Sequence, residues 1–156
     1  MRKISILLLA LILLLSFASV SMAAGDQTIT VNPLGDILNA QYERPLGKQS
    51  SILISAGFAS AGSVNQFLIG AGYRKYFGEE RAGLFSEGIA SYMSARAPEI
   101  SASGFSFQAL GGYKWVLEQG FTIEAGVGVG FAMIELAGYA IGGFGTTYRV
   151  GVGYTW

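Results

Sequence analysis

From residue 27 onward, apolar and polar residues alternate in segments separated by turn-forming residues. A period of two marks a strand, whose successive side chains point to opposite faces. The pattern predicts eight strands, near 27–33, 37–44, 50–59, 65–77, 82–95, 103–116, 120–134 and 146–156. The breaks are Pro33-Leu-Gly35, Pro45-Leu-Gly-Lys48, Ala61-Gly-Ser63, Gly78-Glu-Glu80, Arg96-Ala-Pro98, Leu117-Glu-Gln-Gly120 and Gly142-Gly-Phe-Gly145. Each is rich in residues that favour turns. All three prolines fall in breaks, where a missing N–H costs no ladder bond. Residues 27–44 also fit one long strand kinked at Pro33, but two strands keep the count even and are preferred. Connections after the second, fourth and sixth strands are expected to be tight. Those after the third, fifth and seventh are expected to lengthen toward the C-terminus, the asymmetry of a transmembrane barrel.

The two faces differ in chemistry. One collects Phe67, Ile69, Ala71 and Tyr73, then Phe105, Phe107, Ala109, Tyr113 and Trp115, then Phe121, Ile123, Ala125, Val127, Val129, Phe131 and Met133. The other collects Asn39, Gln41, Glu43, Gln66, Arg74, Glu87, Gln108, Lys114, Thr122, Glu124 and Arg149. A soluble barrel would turn the aromatics inward. Two observations favour the inverted arrangement. Gly70, Gly72, Gly112, Gly126, Gly128, Gly130, Gly151 and Gly153 share the polar face, and glycine weakens a wetted strand for no gain. Inside a narrow lumen it makes room for long polar side chains. The inward charges also balance, with Glu43, Glu87 and Glu124 against Arg74, Lys114 and Arg149. Buried charges need partners, whereas a solvated face has no such requirement.

Composition narrows the class. Charged residues are 13% of the chain, about half the usual share, yet no segment after the N-terminal one is long and apolar enough for a membrane helix. A closed barrel is the other structure that satisfies every backbone polar group in lipid. At the N-terminus Arg2 and Lys3 precede the apolar run Ile4 to Ala18, and Ser21-Met22-Ala23 follows. This is the three-part pattern of a secretory signal peptide, expected at 1–23 with cleavage after Ala23 or Ala24 and a barrel over 24–156. A membrane anchor would want about 20 apolar residues, and polar Gly25-Asp26-Gln27 intervenes. No Cys follows the run, so lipid attachment at the new N-terminus is not expected. Cleavage removes two basic residues from a neutral chain, leaving it slightly acidic. That argues against nucleic acid, which calls for a basic patch.

The final strand is the most telling. Tyr148, Val150, Val152, Tyr154 and Trp156 share one face, and Arg149, Gly151, Gly153 and Thr155 the other. With the leader and the aromatic–glycine strands Gly111-Gly-Tyr-Lys-Trp115 and Ala125-Gly-Val-Gly-Val-Gly-Phe131, the chain resembles the small, eight-stranded outer-membrane β-barrels of Gram-negative bacteria, porin-like and OmpX- or OmpA-barrel-like. The resemblance covers essentially the whole mature chain and is specific for the class rather than a subfamily. It implies outer-membrane lipid as solvent, delivery by periplasmic chaperones and insertion by the barrel-assembly machinery. It also implies that Tyr148, Val150, Val152, Tyr154 and Trp156 are read as a C-terminal assembly signal. The expected outer loops are shorter than those of barrels that bind receptors or host proteins. A monomer is expected.

The residue inventory argues against catalysis. The chain holds no His and no Cys, so a serine nucleophile lacks its usual base, and barrels of this class that modify lipid A or cleave peptides depend on His. Ser86 and Ser91, near Glu87, are read as wall residues, and Glu79-Glu80 as a charged turn. The usual N and S ligands of zinc are missing, and Asp36, Glu99 and Glu135 are spread over separate loops. Gly126-Val-Gly-Val-Gly130 lies within a strand, whereas a nucleotide-binding loop joins a strand to a helix. No cofactor is expected. Two roles remain: a plugged barrel with a structural or surface-interaction role, and a narrow channel or small-ligand transporter. A soluble, lipocalin-like periplasmic binding barrel is the further alternative.

Overall fold

A computed structural model describes residues 27–33, 37–78, 81–98, 101–136 and 139–156. The expected leader lies outside them, as do Asp36, Glu79, Glu80, Glu99 and most of the turn after Pro33. The strands are β1 Thr28–Asn32, β2 Leu38–Pro45, β3 Ser50–Ala61, β4 Val64–Tyr76, β5 Gly83–Arg96, β6 Ser101–Val116, β7 Phe121–Leu136 and β8 Tyr139–Thr155. Each pairs antiparallel with the next, and β8 returns to β1, so the sheet closes into an eight-stranded up-and-down barrel. Residues 27–44 form two strands, with Thr28 opposite Glu43 and Asn32 opposite Asn39.

The predicted loop asymmetry is absent. Gly142-Gly-Phe-Gly145, read above as a break, lies inside β8, where Gly142 faces Met133 and Phe144 faces Phe131. β8 therefore starts at Tyr139 rather than 146, and only 137–138 separate it from β7. A glycine run lacks intrinsic strand preference, but sixteen consecutive pairs with β7 supply the ladder and override it. The connection after β3 is likewise only Gly62-Ser63. What lengthens toward the C-terminus is the strands, from 5 residues in β1 to 17 in β8. Pro45, placed above in a turn, ends β2 opposite Ser51. Between β6 and β7 the chain turns through a short 3₁₀ segment, Glu118–Gly120, where Gly120 takes a φ of +86°. A side chain at that site would meet the Thr155 carbonyl.

The seam between the first and last strands is short. β1 meets β8 from Thr28 opposite Thr155 to Val31 opposite Val152. Below it, Gln27 and Trp156 exchange two backbone hydrogen bonds of 2.9 Å. Above it, Val150 N–H donates to the Asn32 side chain. Among the described residues, no strand pairs with the β1-side edge of β8 between Tyr139 and Tyr148.

The faces sort as the inverted arrangement requires. Phe67, Ile69, Tyr73, Phe105, Phe107, Tyr113, Trp115, Phe121, Val127, Val129 and Met133 are exposed on the outside. Glu43, Arg74, Glu87, Lys114, Glu124 and Arg149 are buried in the lumen with Gln41, Ser55, Ser91, Ser106 and Thr122. The lumen also holds Leu53, Leu68, Tyr76, Phe85, Ile89 and Leu110, an apolar filling that the polar reading of this face overlooked. Glycines make room for it. A Cβ on Gly72 would lie 2.7 Å from Ile89 Cγ1, and one on Gly151 would lie 2.9 Å from Glu124 Cγ.

Candidate functional site

The strand register brings the six lumen charges to one level. β4 pairs with β5 so that Arg74 lies opposite Glu87, and β6 pairs with β7 so that Lys114 lies opposite Glu124. Glu43 reaches in from β2 and Arg149 from β8. Arg74 is the hub. Its Nη1 donates to Glu43 Oε2 and Glu124 Oε2, both at 2.9 Å, and its Nη2 to Glu87 Oε2 at 2.7 Å. The Arg74 side chain is 1% exposed, and its three carboxylate partners are 3% or less. A guanidinium, with five N–H donors in a fixed fork, can serve three acids at once from one position.

The other two cations complete the cluster. Lys114 Nζ donates to Glu43 Oε2 at 3.0 Å and to Thr28 Oγ1 at 2.6 Å. It joins Glu124 through Glu43 and Arg74 rather than directly. Arg149 pairs with Glu87 at 2.5 Å and with Glu124 at 3.2 Å, and donates to the Gln41 side chain. Three positive charges thus meet three negative ones in an unbroken set of ion pairs.

Neutral residues fix the geometry. Tyr76 O–H donates to Glu43 Oε1 at 2.6 Å and accepts from Arg74 Nη1 at 3.2 Å. The Phe85 ring lies 4.1 Å from the Arg74 guanidinium carbon and contacts Tyr76 edge-on at 6.1 Å. Below the cluster, Thr155 Oγ1 lies 2.9 Å from Thr28 Oγ1 and 2.7 Å from Thr122 Oγ1, a belt of hydroxyls across the end of the lumen. Tyr76 and Phe85 were missed in the sequence as site residues. Their strand parity places both on the charged face, and that parity was the available signal.

The remaining singled-out residues lie elsewhere. Ser91 is buried in the wall, while Ser86 points outward. Glu135 is exposed on the outside of β7. Among the described residues no group of three or more acids or other metal-ligating side chains could hold a metal ion. Tyr148, Val152 and Tyr154 are exposed on the outer face, and the Tyr154 and Trp156 rings stack at 6.3 Å.

No protein-family model and no curated protein matches the chain. Its fold is a closed up-and-down barrel of eight antiparallel strands, similar to that of an outer-membrane protein. A solved structure similar to it is the Yersinia pestis outer membrane protein Ail in a phospholipid bilayer nanodisc. The two share 12% identity at a TM-score of 0.52, over 85% of this chain and all of that one. The likeness is one of fold.

Proposed function

We propose that this chain is a non-enzymatic outer-membrane barrel, exported by a cleaved leader, whose lumen is a structural plug rather than a conduit. Its role is then to stiffen the membrane or to present its outer surface. The observation that carries the reading is Arg74 held by three buried carboxylates across the lumen, next to the hydroxyl belt at its end. Around it Leu53, Tyr76 and Phe85 fill space that a pore would leave to water. Eight strands enclose an interior just wide enough for side chains, and this interior is occupied. The outward aromatic and aliphatic face supports lipid as the surrounding medium, because soluble proteins rarely expose an apolar patch beyond a few hundred Å².

Fractionation tests the membrane assignment. The protein is expected in the outer-membrane fraction, running faster on a gel unboiled than boiled because the closed barrel resists detergent. Recovery in the soluble periplasm would restore the lipocalin-like alternative. Planar-bilayer recording tests the plug, which is expected to give no defined conductance steps. Regular steps would favour the narrow channel.

A further inference from the structure

The short seam leaves one strand edge open. β8 meets β1 only from Val152 to Thr155, with the Val150 N–H on the Asn32 side chain above it. The reciprocal bonds between Gln27 and Trp156 set the alternation, so Gly142, Phe144, Thr146 and Tyr148 turn their N–H and C=O groups toward the β1 side. Among the described residues no strand meets them there. Such an edge is ready to pair with another strand, and proteins normally blunt it with a charge, a proline or a bulge. From Tyr139 to Tyr148 the chain has no charged residue and no proline, and its rungs with β7 run without a bulge. The outward side chains Phe144 and Tyr148 are 85% and 65% exposed. On the inward side, a Cβ on Gly143 or Gly145 would meet nothing within 4 Å, whereas one on Gly151, lower in the same strand, would lie 2.9 Å from Glu124 Cγ. The lumen beside the open edge has room.

Gly142, Phe144, Thr146 and Tyr148 stand beside Met133, Phe131, Val129 and Val127 of the outward apolar face. On the membrane reading proposed above, on which this inference rests, the open edge therefore lies within the apolar belt, whichever end of the barrel meets the outer leaflet. Unpaired backbone groups are strongly disfavoured there. The chain itself cannot cover them. From Val150 to Phe144 is about 20 Å of strand. Residues 33–37, which join β1 to β2, reach about 20 Å in all and must also return. The residues left ahead of Gln27 by the expected cleavage lie at the opposite, Trp156 end. A neighbouring copy in the same orientation, related by a two-fold along the membrane normal, would cross its β8 over this one at about twice the strand tilt of about 40°. We propose that the Gly142–Tyr148 edge of the finished barrel accepts an extended, uncharged segment of another protein as an added strand in line with β1. Main-chain hydrogen bonds give the recognition. Apolar side chains of the segment meet lipid outside, and the open space over Gly143 and Gly145 takes a side chain within.

The test uses the full chain expressed in cells, with the folded barrel purified in detergent and amide exchange of β8 read residue by residue. The probe is an end-capped peptide of alternating leucine and threonine. Its control is the same peptide fully N-methylated, which keeps the side chains but cannot complete a ladder. The plain peptide is expected to slow exchange at Gly142, Phe144 and Thr146 saturably, by about tenfold or more, and to leave Gly143 and Gly145 as they were. The N-methylated peptide should slow none of them. Thr146→Pro removes an N–H that points at the open edge, so it costs the β7 ladder nothing. That variant should keep the fast unboiled gel mobility and lose the peptide effect at Gly142 and Phe144, while Thr146→Val should retain it. A plain peptide without effect, equal protection by both peptides, or an unaffected Thr146→Pro variant would each overturn the proposal. So would protection of these amides before any peptide is added. If that protection rises with protein concentration the occupant is a second copy, and if it does not the chain covers its own edge. The peptide arms need only the unmodified protein, so a variant that fails to fold does not block the test. Recovery of the protein in the soluble periplasm would instead count against the membrane reading itself.

Discussion

At the scale of the residue, Arg74 is the most consequential side chain. Its removal leaves three buried carboxylates, Glu43, Glu87 and Glu124, to share the two remaining cations Lys114 and Arg149. Arg74→Met should cost about 3–5 kcal/mol, the usual loss when one partner of a buried ion pair is taken away, read from denaturant unfolding in lipid. Arg149 gives a cleaner test, because its partners Glu87 and Glu124 also touch Arg74. Arg149→Leu should destabilise by several kcal/mol, and adding Glu124→Gln should recover part of that loss. Strict additivity of the two changes would mean that the pair is not coupled.

At the scale of the element, β8 has two different edges. The reciprocal bonds of Gln27 with Trp156 fix the alternation, so even-numbered residues of β8 turn their N–H and C=O toward β1 and odd-numbered ones toward β7. Above Val150 the even amides have no strand to meet among the described residues. Hydrogen exchange in detergent should therefore be fast at Gly142, Phe144, Thr146 and Tyr148, and slow at Gly143, Gly145 and Thr147. Uniform protection along β8 would require a further partner on that edge. The lower end of the strand poses a separate question. The Trp156 seam bonds are made by backbone, and its ring adds a stack on Tyr154. As an assembly signal, Trp156→Ala should fold normally in vitro and insert poorly in cells, with Phe tolerated. Tyr113→Ala removes a comparable outer aromatic away from the terminus and should show no such split. Equal losses for both variants in both settings would leave Trp156 as an interfacial anchor.

At the scale of the whole molecule, the barrel is closed at one end and uneven at the other. The charge cluster ties β2, β4, β5, β6, β7 and β8 together through the lumen, while the seam relies on few backbone pairs. Cross-links from the interior thus offset a short closing ladder. If so, removing two of the three cations should both open conductance and weaken closure, because three buried carboxylates are then left with Arg149 alone. The double variant Arg74→Met with Lys114→Met is expected to show conductance events absent from the parent. It should also lose its fast unboiled mobility at a lower temperature. A silent, equally heat-resistant double variant would assign the closure to the strands alone.

Strand number, face assignment and the six lumen charges were legible in the sequence because they depend on local parity. Glu124, Lys114 and Arg149 sit on the polar face wherever the strand is placed, and the glycines beside them mark a confined interior. The aromatic outer face follows from the same period of two. Pairing was not legible, because it is set by register between strands distant in the chain. Nothing local says that Gly142-Gly-Phe-Gly145 continues a strand, since the ladder that holds it belongs to β7. Nor does parity reveal that one guanidinium serves three acids, or that Phe85 packs against it. Those facts arise when closure carries side chains from separate strands into one space. The sequence determined which residues could enter the lumen, because alternation is a property of each strand by itself. The tertiary structure decided which of them meet, because contact across a barrel depends on the relative shift of all its strands.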